Sequence, residues 1–209
     1  MRTAALVVMA LLASCEKAPP EPAPPPRTTA AVAVAASAPE GAWSISPAAE
    51  GSGAKRCVRP LPDVPPPAVR PGPDPACPKD PEGGPPMVPI GHVAFPEARS
   101  APKLDVELML EEKHQERGLM FRKALADDHG MLFAWPRPSV HTFWMHNTCL
   151  PLDMLFIDAD GYVAGIVENA PTLNDDGRSI DCPVSYVLEV NAGWSRKHGV
   201  KPGQRVKID

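Results

Sequence analysis

The sequence predicts a mainly β fold for its second half: a single compact β-sandwich or partly open barrel with one or two short helices. Two observations lead to this prediction. Apolar residues recur in many short runs that alternate with polar residues, as in half-buried strands. Turn-forming residues separate these runs, whereas stretches rich in helix formers are few and brief. We therefore place one β-domain at residues 89–209, after a disordered proline-rich tether.

The predicted elements follow in order along this domain. Residues 103–110 alternate polar and apolar side chains and predict a strand, and residues 111–117 predict a short helix that ends at Gly118. Further strands are predicted where apolar runs are flanked by turn residues, at 131–135 (ended by Pro136), 141–148, 153–158, 162–168, 184–190 and 205–208. The turn at 159–161 joins two of these strands in a hairpin. A second short helix is predicted at 194–198, closed by Gly199.

Residues 15–88 differ from the domain in composition. Of the 29 prolines in the chain, 22 lie between Cys15 and Ser100. Proline removes backbone donors that helices and sheets need and favours the extended polyproline conformation. The apolar residues of this segment show no strand or helix period, so it is predicted to be a disordered linker that holds the domain away from a lipid surface.

Residues 1–14 have the pattern of a signal peptide, with one positive charge at Arg2 and an apolar run too short to span a membrane. The segment Leu12-Ala13-Ser14-Cys15 resembles the lipobox of bacterial lipoproteins, in which the cysteine is acylated. The resemblance implies lipid attachment at Cys15 and a membrane partner in the cell envelope. Glu16 stands where an Asp retains enterobacterial lipoproteins in the inner membrane, so the outer membrane, facing the periplasm or the cell surface, is favoured.

Four further cysteines, Cys57, Cys77, Cys149 and Cys182, predict disulfides, because an even number beyond the anchor suits an oxidising compartment. Three pairings are possible. We favour Cys57–Cys77 within the tether and Cys149–Cys182 within the domain. The absence of CxxC spacing disfavours a metal site at these cysteines, and no cofactor is expected.

The charge of the domain disfavours a nucleic-acid partner. Residues 101–209 contain 12 Lys and Arg against 16 Asp and Glu, a net charge of −4, with no basic stripe. The sequence also lacks a Gly-x-Ser-x-Gly, an HExxH and a phosphate-loop motif, so catalysis is not the favoured interpretation.

Five stretches of the predicted domain resemble a known family: Glu116–Arg122, Gly130–Phe133, Thr142–Thr148, Pro151–Asp158 and Val187–Gly193. Together and in this order they resemble the DUF192 family, also called UPF0127, a bacterial and archaeal family named for having no known function. The resemblance covers nearly all of residues 101–209 and implies a compact, mostly β fold of sandwich type. His146 stands where the family usually has Lys or Arg, so a positive charge there would depend on protonation.

The densest polar chemistry lies between His141 and Asp153. Because residues 141–148 are predicted to form a strand, Phe143 and Asn147 share one face, while Trp144 and His146 share the other. A mixture of large apolar groups with a few polar ones is typical of a small-molecule pocket. We therefore predict a ligand-binding or partner-binding cleft, lined by Arg117, Arg122, Trp144, His146, Asn147, Asp153 and Glu168.

A structural interpretation of the same residues is also open. Asn147 and Asp153 would then cap the turn around Pro151, and Arg122 would pair with Asp153. A metal site through His141, His146 and Asp153 is disfavoured, because the two histidines are five positions apart and would point to opposite faces of a strand.

The leading functional hypothesis is a non-enzymatic envelope module that binds a small ligand, a glycan or an envelope protein. The first alternative is a hydrolase acting on an envelope substrate, with Asp153 and Glu168 as its pair of carboxylates. The second alternative is a structural surface protein without a binding cleft.

Overall fold

A computed structural model of the chain describes residues 55–209. The predicted signal peptide, Cys15 and the beginning of the predicted tether lie outside the described residues. The described part contains nine strands and two short helices. Their bounds are β1 Ile90–Ala94, β2 Leu104–Met109, α1 Glu112–Arg117, β3 His129–Ser139, β4 Phe143–Met145, β5 Leu152–Ile157, β6 Val163–Ala170, β7 Asn174–Arg178, β8 Val184–Asn191, α2 Trp194–His198 and β9 Lys207–Ile208.

Seven strands form one curled sheet in the order β6-β5-β8-β3-β2-β1-β9. Strands β2 and β3 are parallel, and the other neighbours are antiparallel. A bridge between Tyr162 and Arg205 joins the start of β6 to the segment before β9, so the two edges of the sheet meet at one corner. The prediction of a mainly β fold with two short helices is confirmed, and the sheet has the form of a half-barrel.

Apolar side chains cover both faces of this sheet. Along β5, Leu155 and Ile157 point to one face, which is closed by Trp194 of α2 and is called the α2 face. Met154 and Phe156 point to the opposite face, called the methionine face because Met109, Met131, Met145 and Met154 are buried there. The strand period of two therefore divides the core into two clusters.

Strand β3 is longer than predicted. It passes through Pro136 and Pro138 to Ser139, and its register with β8 shifts between Ala134 and Ser139. Proline lacks a backbone donor, so the two prolines lie where the ladder is interrupted and no donor is needed. The strands predicted at 103–110, 153–158, 162–168 and 184–190 and the hairpin at 159–161 are confirmed.

The strand predicted at 141–148 is reduced to β4, which spans three residues. Asn147 has a φ of 51°, so the chain turns there and leaves the strand direction. Strand β4 pairs with β7, whose sequence Asn-Asp-Asp-Gly-Arg has no apolar alternation. The sequence contains no signal for β7 because of this polar composition. Strand β1 was also not predicted, because it begins directly after the proline-rich segment.

Both predicted helices are confirmed. Helix α1 ends at Gly118, whose φ of 48° favours glycine and whose N–H donates to the carbonyl of His114. Helix α2 ends at Gly199, which has a left-handed conformation. No helix within residues 55–209 is both long enough and apolar enough to cross a bilayer.

Residues 55–88, called the strap, contain no helix or strand but run along the domain. The N–H of Arg59 donates to the carbonyl of Ala164 at 2.7 Å, and the N–H of Asp74 donates to the carbonyl of Cys149 at 2.8 Å. The prediction for residues 55–88 was a disordered linker, whereas in the structure they are attached to the domain. The physical reason is that the strap's backbone groups find hydrogen-bond partners on the domain surface.

Both disulfides join the strap to the domain. They link Cys57 to Cys182 and Cys77 to Cys149, with Cα atoms 5.8 and 5.2 Å apart. The prediction that all four cysteines form disulfides is confirmed, whereas the favoured pairing of Cys57 with Cys77 and of Cys149 with Cys182 is wrong. Loop closure in sequence favoured the local pairs, but the strap lies along the domain and brings each of its cysteines to a distant partner.

Candidate functional site

A surface groove of about 560 Å³ runs between α1, the middle of β3 and the residues around β4. Its lining is dominated by aromatic side chains, with acidic and amide side chains along the α1 wall, and we call it the aromatic groove. The residues that line it are Glu112, Gln115, Glu116, Met120, Phe133, Trp135, His141, Thr142, Phe143 and Trp144.

The aromatic rings of the groove support one another. Phe133 and Phe143 meet edge to face with centroids 5.0 Å apart, and Trp135 stacks on His141 at 3.6 Å. Trp144 is 52% exposed and stacks on His146 at 5.1 Å. These contacts hold the apolar wall in place, so the groove is largely formed before any ligand arrives.

The opposite wall of the groove is fixed to the sheet through Gln115 of α1. Its side-chain amide donates to the carbonyl of Met109 at 2.9 Å and to the carbonyl of Ala134 at 3.1 Å. Because these carbonyls belong to β2 and β3, the short helix is tied to both strands. The groove therefore has one helical wall and one aromatic wall, and both are anchored.

A smaller cavity of about 30 Å³ adjoins the groove and is called the inner cavity. It shares part of the groove's lining, including Glu116, Phe143 and Trp144, and its further lining includes Arg117, Thr148 and Glu189. A volume of this size holds one group about as large as a water molecule.

Glu189 of β8 is the buried acid of this cavity. Its side chain belongs to the methionine face, and its register partners are Met131 of β3 and Met154 of β5. The residue is 4% exposed, and within residues 55–209 its carboxyl has neither a hydrogen bond nor an ion pair. Burial raises the pKa of Glu189 to about 8, because the charged form has lost its water. At neutral pH the fold therefore holds a protonated acid beside the groove.

Arg117 also lines the inner cavity, but its guanidinium is engaged by the strap. Nη2 donates to the carboxylate of Asp80 at 2.8 Å and to the carbonyl of Gly84 at 3.0 Å, and Nη1 lies 3.3 Å from Glu82. The hydrogen bond from Arg117 lowers the pKa of Asp80. The positive charge of Arg117 is thus neutralised by strap carboxylates rather than by Glu189.

The predicted cleft residues do not form one site. Arg117 and Trp144 line the inner cavity, and His146 stands beside Trp144 with its Nδ1 2.8 Å from a carboxylate oxygen of Asp175. Asn147 occupies the turn after β4, where its carbonyl accepts the N–H of residue 121 at 2.9 Å.

Asp153 and Glu168 lie near α2, away from the groove. The carboxylate of Asp153 is fully buried and accepts backbone N–H groups of Asn169, Gly193 and Ser195 at 2.9–3.0 Å. Glu168 forms an ion pair with Arg196 of α2 at 2.6 Å. Both carboxylates thus make contacts that attach α2 to the sheet, although Oε1 of Glu168 is buried without a hydrogen bond and is held only by the charge of Arg196.

Arg122 pairs with Glu107 of β2 at 2.6 Å. The alternative in which Arg122 neutralises Asp153 is therefore wrong, because backbone donors at the start of α2 satisfy Asp153 instead. In residues 55–209 no group of three His, Cys, Asp or Glu side chains is placed to hold a metal ion.

Sequence reasoning missed Glu189, Trp135 and the pairing of Ser139 with His141. A signal for Glu189 was present, because it is the one charged residue of the apolar run 184–190. The Oγ of Ser139 lies 2.9 Å from Nε2 of His141. Burial lowers the pKa of His141, opposed by a backbone hydrogen bond with Val184.

These features define a small half-barrel domain that carries an aromatic groove on one face and a buried acid at its inner end. The chain belongs to the DUF192 family, described as an uncharacterized ACR, whose sequence model matches residues 95–208. This confirms the resemblance drawn from the five stretches of the sequence. No curated protein matches the chain.

Two solved structures are similar to this chain. One is the crystal structure of a proposed transcription regulator from Sinorhizobium meliloti 1021, with 41% identity and a TM-score of 0.53, covering 57% of this chain and 92% of that one. The other is a protein of unknown function from Novosphingobium aromaticivorans DSM 12444, with 35% identity and a TM-score of 0.52, covering 56% and 83% of the two chains.

Proposed function

We propose that this protein is an envelope-anchored lipoprotein whose domain binds a small organic ligand in the aromatic groove without transforming it. The observation that carries the proposal is the combination of a preformed aromatic groove with an unpaired buried acid at its inner end. A fold gains nothing from such an acid, whereas a ligand that pairs with it gains affinity and orientation.

The dimensions of the groove support this proposal. Its volume of about 560 Å³ falls in the range of small-molecule sites, roughly 300–1,000 Å³. The rings of Trp135, Phe143 and Trp144 offer flat apolar area, and Glu116 and Glu189 offer polar groups that would fix orientation. An envelope protein could insert one side chain here, but the narrow inner cavity favours a small molecule.

A panel of small compounds tests ligand binding. We expect at least one class among neutral, cationic, anionic and sugar compounds to raise the melting temperature of the full-length protein and change its tryptophan fluorescence. Trp144→Ala should abolish both responses, because it removes an exposed wall of the groove. Ile90→Ala, which removes another exposed apolar side chain, is the matched control. Equal responses in both variants, or none in the wild type, would refute the proposal.

The location is proposed from the lipobox-like segment ending at Cys15, and the two disulfides are consistent with an oxidising compartment. Labelling of growing cells with an alkyne fatty acid should mark the wild type and not Cys15→Ala. Fractionation should recover the labelled protein with the outer membrane. Label on Cys15→Ala, or recovery of the wild type in a soluble fraction, would contradict lipid anchoring.

A hydrolase is the second candidate, because Ser139 Oγ lies 2.9 Å from His141 Nε2 at the rim of the groove. The lowered pKa of His141 would keep the imidazole neutral and able to accept the serine proton. A hydrolase should cleave a nitrophenyl ester, and Ser139→Ala should remove this activity while the control Ser179→Ala retains it. Equal ester cleavage by both variants would dismiss this candidate.

Nucleic acid is not proposed as a partner, although one similar structure belongs to a proposed transcription regulator. Nucleic-acid binding requires a basic surface, whereas residues 101–209 have a net charge of −4. We expect no salt-dependent retention of the protein on immobilised duplex DNA.

A further inference from the structure

We propose that the ligand is a cation with a primary ammonium head, which enters the inner cavity and pairs with Glu189 while its apolar part lies on the aromatic wall. This inference rests on the proposed function, since it names the chemical class that the aromatic groove would bind.

The charges of the site favour a cation. Glu112 and Glu116 line the helical wall of the groove, and Glu189 lies at its inner end. The lining of the groove contains no Lys or Arg. Arg117, which reaches the inner cavity, is already neutralised by Asp80 and Glu82 of the strap. An anionic ligand would therefore meet acidic side chains with no available counter-charge.

Glu189 supplies the specific contact. It is 96% buried, as its exposed fraction of 4% indicates, and among residues 55–209 its carboxyl has no partner. A buried carboxylate is stable only when it is paired and hydrogen-bonded. A ligand ammonium group would donate to the carboxylate and neutralise its charge.

The shape of the site limits the head group. The inner cavity of about 30 Å³ accepts a group of about the size of water, as an –NH3+ group is. A trimethylammonium head is bulkier and has no N–H to donate to the carboxyl of Glu189. Beyond the cavity, Phe143 and Trp144 present ring faces and edges to the stem of the ligand, and a cation near an aromatic face gains further attraction.

Binding of an ammonium ion to Glu189 should release a proton that can be measured. Near neutral pH, Glu189 carries a proton and the amine is an ammonium ion, so pairing them releases one proton from Glu189 to solvent. Affinity should therefore rise with pH until Glu189 is ionised in the unliganded protein. The charged groups facing Glu189 are Glu116 and Arg117 from α1, whereas β3 and β5 contribute Met131 and Met154. At the outer groove lie Glu112 and His141, whose lowered pKa places its titration below this range.

The test uses isothermal titration of the full-length protein with four probes that share a hexyl chain: hexylamine, hexanol, hexanoate and hexyltrimethylammonium. We expect hexylamine to bind with release of about one proton and with affinity rising roughly tenfold per pH unit below pH 8. The other three probes should bind at least about tenfold more weakly. Equal binding of hexanol or hexanoate, or no binding of hexylamine, would overturn the inference.

Two variants separate this inference from the proposed function. Glu189→Gln keeps the shape of the side chain and should lower hexylamine affinity by about 30-fold or more and remove its pH dependence. Asp63→Asn, which removes an exposed carboxylate of the strap, is the control and should bind like the wild type. If Glu189→Gln binds hexylamine normally while Trp144→Ala does not, the cation assignment fails and the groove remains a binding site. If no compound of the broader panel binds, the proposed function itself fails.

Discussion

Asp153 and Glu189 are buried acids on neighbouring strands of one sheet, but the two faces of the sheet treat them differently. On the α2 face, Asp153 accepts three backbone N–H groups, two of them from the residues that begin α2. On the methionine face, Glu189 lies between Met131 and Met154 without a partner in the described part of the chain. Burial alone does not decide whether the fold satisfies an acid. The hydrogen-bond partners decide this.

The predicted cleft residues are divided between the two faces of the sheet. Asp153 is close to Trp144 in sequence, yet its side chain points to the opposite face of the sheet from Glu189. The carboxylate of Asp153 already accepts three backbone N–H groups. Both carboxyl oxygens of Glu189 are still open to a donor from a ligand.

The largest effect is expected from removing the satisfied acid. Asp153→Ala leaves three buried N–H groups without an acceptor and should lower the free energy of unfolding by about 3–5 kcal/mol. Urea denaturation with both disulfides intact measures this. Asp175→Ala, which removes an exposed acid, should change stability by less than about 0.5 kcal/mol. A loss below about 1 kcal/mol at Asp153 would contradict its structural role.

The unpaired acid should make stability depend on pH. The folded pKa of Glu189, about 8, lies above the ordinary value of 4.5, so the folded state retains a proton that the unfolded chain releases between these values. The contribution of Glu189 to the free energy of unfolding is therefore fully present below the unfolded pKa and is lost as the pH rises through the folded pKa. Relative to Glu189→Gln, the wild type should lose on the order of 3 kcal/mol between pH 5 and 8. Parallel stability curves for the two proteins would contradict the unpaired state.

Substitutions in the strap should reduce the difference between the satisfied Asp153 and the unpaired Glu189. Asp80→Asn combined with Glu82→Gln removes the carboxylates that neutralise Arg117, which lines the same cavity as Glu189. A guanidinium released from the strap could turn towards the inner cavity, where it would stabilise the ionised form of Glu189 and lower its pKa. A carbon-13 NMR titration of the glutamate carboxyl measures this shift. Asp63→Asn in the same strap should leave the pKa of Glu189 unchanged.

The smallest effect on stability is expected at the mouth of the groove. Trp144 is 52% exposed, so Trp144→Ala should change the free energy of unfolding by less than about 1 kcal/mol, although it should abolish ligand binding. Thermal melting and titration of the same sample measure both quantities. A large loss of stability would mean that the ring supports the core and is not available to a ligand.

The elements that depend on local interactions were predictable from the sequence alone. Alternating residues predicted β2 and β8, and the turn at 159–161 predicted the β5–β6 hairpin. Gly118 and Gly199 predicted the ends of both helices, because a left-handed or otherwise positive φ is cheap for glycine. The same local signals identified the family, since its motifs are short runs within these elements.

The tertiary structure alone decided which distant groups meet. The partner of each cysteine depends on how the strap crosses the domain, and loop length in sequence does not contain that path. Strand β7 has no apolar alternation and becomes a strand by pairing with β4. The charge in the run 184–190 was visible in the sequence, but its meaning was not. The strap engages Arg117, the cation of the inner cavity, from 33 or more positions away, as its contacts with Gly84 and Asp80 show, and the sequence does not reveal that contact.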